Sequence, residues 1–170
     1  MSRLFFISAA VLIFLGSVAK GQSTKKANKD TKTWNYEIEV VGVGVQGTSL
    51  IKVWSYSKNP VIAIEQAKKN AIHGIIFQGY LGKRGIEGRP PLLPDDSVAT
   101  ARSDFFDHFF ADDGDYKKYV TLTNDGAVAA EDRLKIGKEY KIGVVVSVNI
   151  AELRKRLENE GAIKSISSGF

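Results

Sequence analysis

A chain of 170 residues is the size of one domain, and its make-up, 44% hydrophobic and 25% charged, fits a globular protein better than a disordered chain or a polytopic membrane protein. It contains no Cys, which excludes a disulfide framework, a thiol nucleophile, a Cys-based zinc site and an acylated lipoprotein terminus. Two His, His73 and His108, leave little for imidazole-based metal or triad chemistry, and the formal net charge is only +5.

Residues 1–21 have the layout of a cleaved secretory signal. Arg3 gives a basic start, Leu4 to Ala19 (LFFISAAVLIFLGSVA) is almost wholly apolar, and small residues close the segment at Ala19 and Gly21. Cleavage after Gly21 places Ala19 at −3, and cleavage after Ala19 places Ser17 there. The apolar run of about 16 residues is shorter than the roughly 20 that a spanning helix needs, which favours a signal over a membrane anchor. No second run of that length follows. The expectation is an exported chain, periplasmic or at the cell surface, with no stable membrane insertion once the signal is gone. Its removal takes away two cations, Arg3 and Lys20, and no acid, so the net charge falls from +5 to +3, a weak case for a polyanion partner. Residues 22–33 (QSTKKANKDTKT) read as a flexible leader with Lys25, Lys26, Lys29 and Lys32. A basic arm lying on anionic lipid or polysaccharide is the alternative.

A single domain is expected over 34–163. Trp34 to Gln46 reads as a strand, with Tyr36, Ile38 and Val40 alternating against Asn35, Glu37 and Glu39. Beyond Val41 the valines change parity (V-G-V-G-V), which places a bulge near Val41-Gly42. Gly47-Thr48 is a turn into a second strand, Leu50 to Ser57. Asn59-Pro60 then opens a helix, as a cap followed by the residue favoured at the first helical position. Ile64, Ala67, Ala71, Ile72, Ile75 and Ile76 form its apolar stripe. Glu65, Gln66, Lys69, Asn70 and His73 form the expected polar side, and Gly79 the stop. Residues 80–96 (YLGKRGIEGRPPLLPDD) read as a long loop, of a length that in compact domains is often functional.

Val98 to Ala111 reads as a second helix with Val98, Ala101, Phe105, Phe106, Phe109 and Phe110 on one face. Tyr119 to Thr123 is a strand, Asn124-Asp125-Gly126 a turn, and Arg133–Ile136 with Glu139–Asn149 a hairpin about Gly137-Lys138. The last strand alternates most cleanly: Tyr140, Ile142, Val144, Val146 and Val148 point one way. Asn149, with Glu152 three residues on, caps a third helix that buries Ile150, Leu153 and Leu157 and ends at Gly161. Residues 164–170 are a tail. The order β-β-α-loop-α-β-β-β-α specifies an α+β fold, a mainly antiparallel sheet of about five strands with two to three helices on one face.

No motif selects a reaction. Gly42 to Gly47 matches G-x-G-x-x-G, but β-rich sequence follows it where a dinucleotide site needs a helix, so a bulge or close packing is the better account. Asp95, Asp96, Asp104, Asp107, Asp112, Asp113 and Asp115 crowd one segment without EF-hand spacing; solvated helix ends and a turn are favoured over calcium. His73 and His108 read as polar-face helix residues. No nucleophile elbow is present, and no carboxylate pair stands out for glycoside hydrolysis. The expectation is therefore no catalytic residue, cofactor or metal.

Two features invite a partner instead. Lys83, Arg84 and Arg89 sit in the Gly/Pro segment, suited to a protein or an anionic glycan, with solvated loop charge as the plain alternative. Phe105, Phe106, Phe109 and Phe110 form a wide apolar face, read first as core and second as a docking surface. Acidic neighbours argue against single-stranded nucleic acid there.

The strand Ile38-Glu39-Val40-Val41-Gly42-Val43-Gly44, the helix with Ala63, Ala67, Ala71 and Ile75, and the late hairpin running into Leu153 and Leu157 give the chain a resemblance. It resembles the amino-terminal domain of the flagellar assembly protein FlgT and related short envelope lipoproteins over some two thirds of the expected exported chain. The lipid-bearing Cys of that family is missing here, and the Pro-rich loop and Phe helix look like additions. The resemblance implies a non-catalytic envelope module that binds other envelope proteins and carries over no site residues. The competing expectation is a secreted hydrolase or glycan-binding protein with a site near 80–115, using carboxylates such as Asp104 or Asp107.

Overall fold

The computed structural model describes residues 34–45 and 47–165; the expected signal, the leader and the tail beyond Ser165 lie outside the described residues. The fold is α+β. Strands β1 (Tyr36–Val43), β2 (Thr48–Ser57), β3 (Val120–Leu122), β4 (Arg133–Ile136) and β5 (Glu139–Asn149) form one antiparallel sheet. Its order is β1-β2-β5-β3, and β4 pairs with the stretch of β5 that β3 leaves free. The helices are α1 (Pro60–Phe77), α2 (Asp96–Ala101), α3 (Ser103–Phe109) and α4 (Ile150–Asn159).

The register explains the valine pattern of β1. Tyr36, Ile38 and Val40 pair with Ser55, Val53 and Ile51, then the pairing slips between Val40 and Gly42. The slip brings Val43 opposite Ser49, on the helix side of the sheet but beyond the core. The strand is shorter than the expected Trp34–Gln46 at both ends. Trp34 adopts a left-handed φ of 48° and stacks on His73 instead of joining the ladder. In β2 every second side chain from Ser49 to Ser57 is buried, and β5 buries Ile142, Val144, Val146 and Val148.

Asn59 caps α1 by accepting the Val61 N–H at 3.0 Å, with Pro60 at the first helical position. The side expected to be polar is largely buried: Gln66, Lys69 and Asn70 join the apolar stripe inside the protein. One polar residue on β2 meets this side: Asn70 Nδ2 donates to Ser55 Oγ at 2.9 Å. His73 is enclosed by Trp34 at 3.6 Å between ring centres, Phe77 at 4.7 Å and Phe110 at 5.9 Å, and a 2.7 Å hydrogen bond joins its Nδ1 to Tyr36 Oη. Burial, helped by the nearby Lys69 charge, lowers its pKa to about 3.

The expected Val98–Ala111 helix is two helices broken at Arg102, whose backbone (φ −120°, ψ 30°) is not helical. Asp95 caps α2 by accepting the Ser97 N–H at 2.8 Å, and Ala101 is exposed, not on a shared apolar face. At the other end of the domain, Asn149 accepts the Glu152 N–H at 3.1 Å and starts α4, which buries Ile150, Leu153 and Leu157 as expected.

Candidate functional site

The glycines of residues 79–88 build a compact element where a loop was expected. Gly79 (φ 68°) ends α1 with its N–H on the Gly74 carbonyl at 2.8 Å. The chain then doubles back: Tyr80 and Arg89 exchange two backbone hydrogen bonds of 2.8 Å, and Lys83 and Ile86 exchange bonds of 3.0 and 3.1 Å. Between them Arg84 and Gly85, with φ of 53° and 79°, make the two-residue turn of a tight β-hairpin. Its arms touch backbone to backbone. A Cβ on Gly82 would lie 2.7 Å from the Ile86 carbonyl oxygen, and one on Gly88 2.7 Å from the Gly82 nitrogen. After the hairpin, the Leu92 and Leu93 N–H groups bond the Ile75 and Ile76 carbonyls at 3.1 and 2.9 Å, tying the segment to the end of α1.

The three basic residues of this segment have different surroundings. Lys83 is ion-paired with Glu39 on β1, whose other oxygen accepts the Trp54 Nε1–H at 3.3 Å. The Lys83 hydrogen bond, more than Trp54, holds the Glu39 carboxyl below the usual range against partial burial. Arg84 is at the tip of the turn, and Arg89 is at the base; neither forms an ion pair among the described residues. Arg89 lines two clefts. One, of about 540 Å³, lies between the hairpin and the start of α4, with Val43 and Ser49 on the sheet, Tyr80 and Ile86 on the hairpin, and Ile150 and Arg154 on the helix. The other, of about 470 Å³, is lined by Ile38, Gln78, Leu81 and Pro90. Beside them stand three of the most exposed apolar side chains described, Leu81 at 88%, Val45 at 82% and Val43 at 74%. The outer edge of β1 pairs with no strand among the described residues.

No family model, curated protein or solved structure matches the chain.

The phenylalanine face is core, which corrects its second reading as a docking surface. Phe106, Phe109 and Phe110 are buried: Phe106 packs on Phe77, Phe109 on Tyr119, and Phe110 on both Trp34 and Tyr116, at ring-centre distances of 5.2 to 6.0 Å. Buried rings offer a partner nothing to touch. Phe105 alone is half exposed, with the Arg156 guanidinium 5.2 Å over its ring. In the acidic segment Asp95 is the helix cap, Asp113 pairs with Lys117 at 3.5 Å, and Asp115 pairs with Lys118 at 2.7 Å. Among the described residues no three His, Asp or Glu gather as a metal site, and no helix is long and apolar enough to cross a membrane.

Two arrangements were not anticipated from the sequence. The His73 enclosure needs Trp34 to fold back over α1, and the i, i+4 spacing of His73 and Phe77 was its only local sign. The wet face of the sheet carries the other, around Trp54.

Proposed function

We propose that this is an exported, non-catalytic protein of the cell envelope that acts as an interaction or assembly module, docking a partner protein at the 79–89 hairpin. The observation that carries the reading is the exposure of Leu81, on a hairpin locked by close backbone contact, and of Val43, at the end of β1, with Arg89 lining the clefts that the two border. Isolated exposed apolar residues are ordinary, but a group of them around a cation with no ion pair among the described residues, next to a strand edge that no described strand covers, suits a protein interface. Export rests on the signal-like residues 1–21, and the resemblance to FlgT-type domains points to the same class of role.

Crosslinking of the tagged protein in its native cells, followed by mass spectrometry, tests this. A reproducible envelope protein at near-equal amount is expected. Changing Arg84 and Arg89 together to Ala should weaken its capture while the circular dichroism and melting curve stay as in the wild type. Unchanged capture would remove the hairpin from the interface, and a partner-free monomer would overturn the reading.

A further inference from the structure

The wet face of the sheet carries an arrangement independent of the docking reading. Trp54 lies in the middle of β2, opposite Gly143 on β5. A Cβ on Gly143 would stand 2.9, 3.0 and 3.1 Å from three consecutive atoms of the indole's six-membered ring. Near-equal distances to consecutive atoms mean that the ring lies flat over Gly143, not edge-on. Its Nε1–H is tied to Glu39, so both the plane and the direction of the ring are set. The ring is half-buried, yet it takes no part in the hydrophobic core on the other side of the sheet.

Charged pairs surround it. Lys52 bonds Asp132 at 2.8 Å, Lys141 bonds both oxygens of Glu37 at 2.8 Å, and Lys83 pairs with Glu39. Tyr56 Oη donates to Glu37 at 2.6 Å. The Lys52 and Lys141 ammonium groups lie over the indole, 5.4 and 5.1 Å from its centre, at the ends of flexible side chains.

We infer that this face is a stacking site for the neutral sugar ring of a glycan. A pyranose has a C–H face that packs on a flat indole, and hydroxyls around its rim that both donate and accept hydrogen bonds. The surround supplies acceptors in Glu37, Glu39 and Asp132 and donors in Lys52, Lys83 and Lys141. Its balance of charge sets the class of ligand. A polyanion would have to draw lysines from carboxylates they already hold, and a cation would meet the two ammonium groups that lie over the ring and that a stacking sugar must push aside. A neutral polyol bonds to both kinds of group and leaves every ion pair in place.

The test is ¹⁵N NMR of the purified protein titrated with two neutral tetrasaccharides, of N-acetylglucosamine and of glucose, and with a heparin tetrasaccharide as the anionic probe. At least one neutral sugar should move the Trp54 Nε1–H signal and leave that of Trp34 in place, with a Kd of about 1 mM, as expected for a single open platform. Trp54→Ala should weaken binding, read from the backbone amides, by about tenfold or more. Gly143→Ala, whose methyl group displaces the ring while Trp54 remains, should do the same with the fold intact by circular dichroism. No shift of Trp54 at about 10 mM of either neutral sugar would overturn the inference. So would a larger response to heparin, or binding unchanged in both variants. Capture of the protein partner should not change in Gly143→Ala, so the sugar site and the docking reading stand or fall separately.

Discussion

Lowering the pH from 7 to 5 should destabilise the fold by about 2 kcal/mol through one side chain, His73. In the unfolded chain its imidazole takes up a proton near pH 6.5. In the folded protein burial between Trp34, Phe77 and Phe110, together with the Lys69 charge, brings the pKa down to about 3. Below pH 6.5 the unfolded state therefore binds a proton that the folded state refuses, and stability falls as the pH falls. The loss grows by about 1.4 kcal/mol per pH unit and levels off near the folded pKa, at about 5 kcal/mol in total. Glu37 and Glu39 also have lowered pKa values, so they add to acid sensitivity, but chiefly below their unfolded value of 4.5. The interval from pH 7 to 5 thus isolates His73. Urea melts at pH 7, 6 and 5, followed by circular dichroism, would measure the slope, and His73→Gln should remove most of it. The variant also loses packing against Trp34, so only the difference in slope is informative. Equal slopes in the two proteins, or a His73 ring that titrates near 6.5 by NMR in the folded state, would refute the reasoning.

Phe110→Ala should cost about 3–5 kcal/mol in a denaturant melt, as for a large buried aromatic, while Phe105→Ala, under Arg156 and half exposed, should cost far less. Comparable losses would mean that the two rings share one environment. Gly88→Ala puts a methyl group against the Gly82 backbone and should open the hairpin. Amide exchange of Tyr80 and Arg89 should accelerate while β2 and β5 stay protected, and partner capture should fall as in the Arg84/Arg89 double variant.

Where local chemistry sets the structure, the sequence already displays it. The alternation of Tyr140 to Val148 appears as one buried face of β5, the valine parity change as the slip after Val40, and Asn59 and Asn149 as side-chain caps. The failures have tertiary causes. Asn70 is polar by type and buried by position, because Ser55 on β2 supplies a partner that no helical pattern reveals, and Gln66 is buried beside it with its side-chain oxygen unpaired among the described residues. The helix break at Arg102 occurs without Gly or Pro to announce it. The 79–89 hairpin turns through Arg-Gly, outside the Asn-Gly and Asp-Gly pairs that signal such turns, so it passes for loop. Of the basic residues singled out, Arg84 at the tip of the hairpin and Arg89 at its base form no ion pair among the described residues, whereas Lys83 is held by Glu39. Trp54 and Gly143 meet only through strand register, which residue spacing does not encode.

The pairing of β2 with β5 has a consequence for the order of folding. β1 and β2 are neighbours in sequence, but the strand that completes the middle of the sheet, Glu139–Asn149, follows the other four in the chain. Until it arrives, Ile51 and Val53 belong to a two-stranded ribbon with one flank open, and β3 and β4 have nothing to pair with. Such distant pairing makes for slow folding and leaves a sticky strand bare in the meantime. Loss of residues 139–149 would remove the common neighbour of three strands at once, so the sheet beyond the first ribbon waits for that one segment.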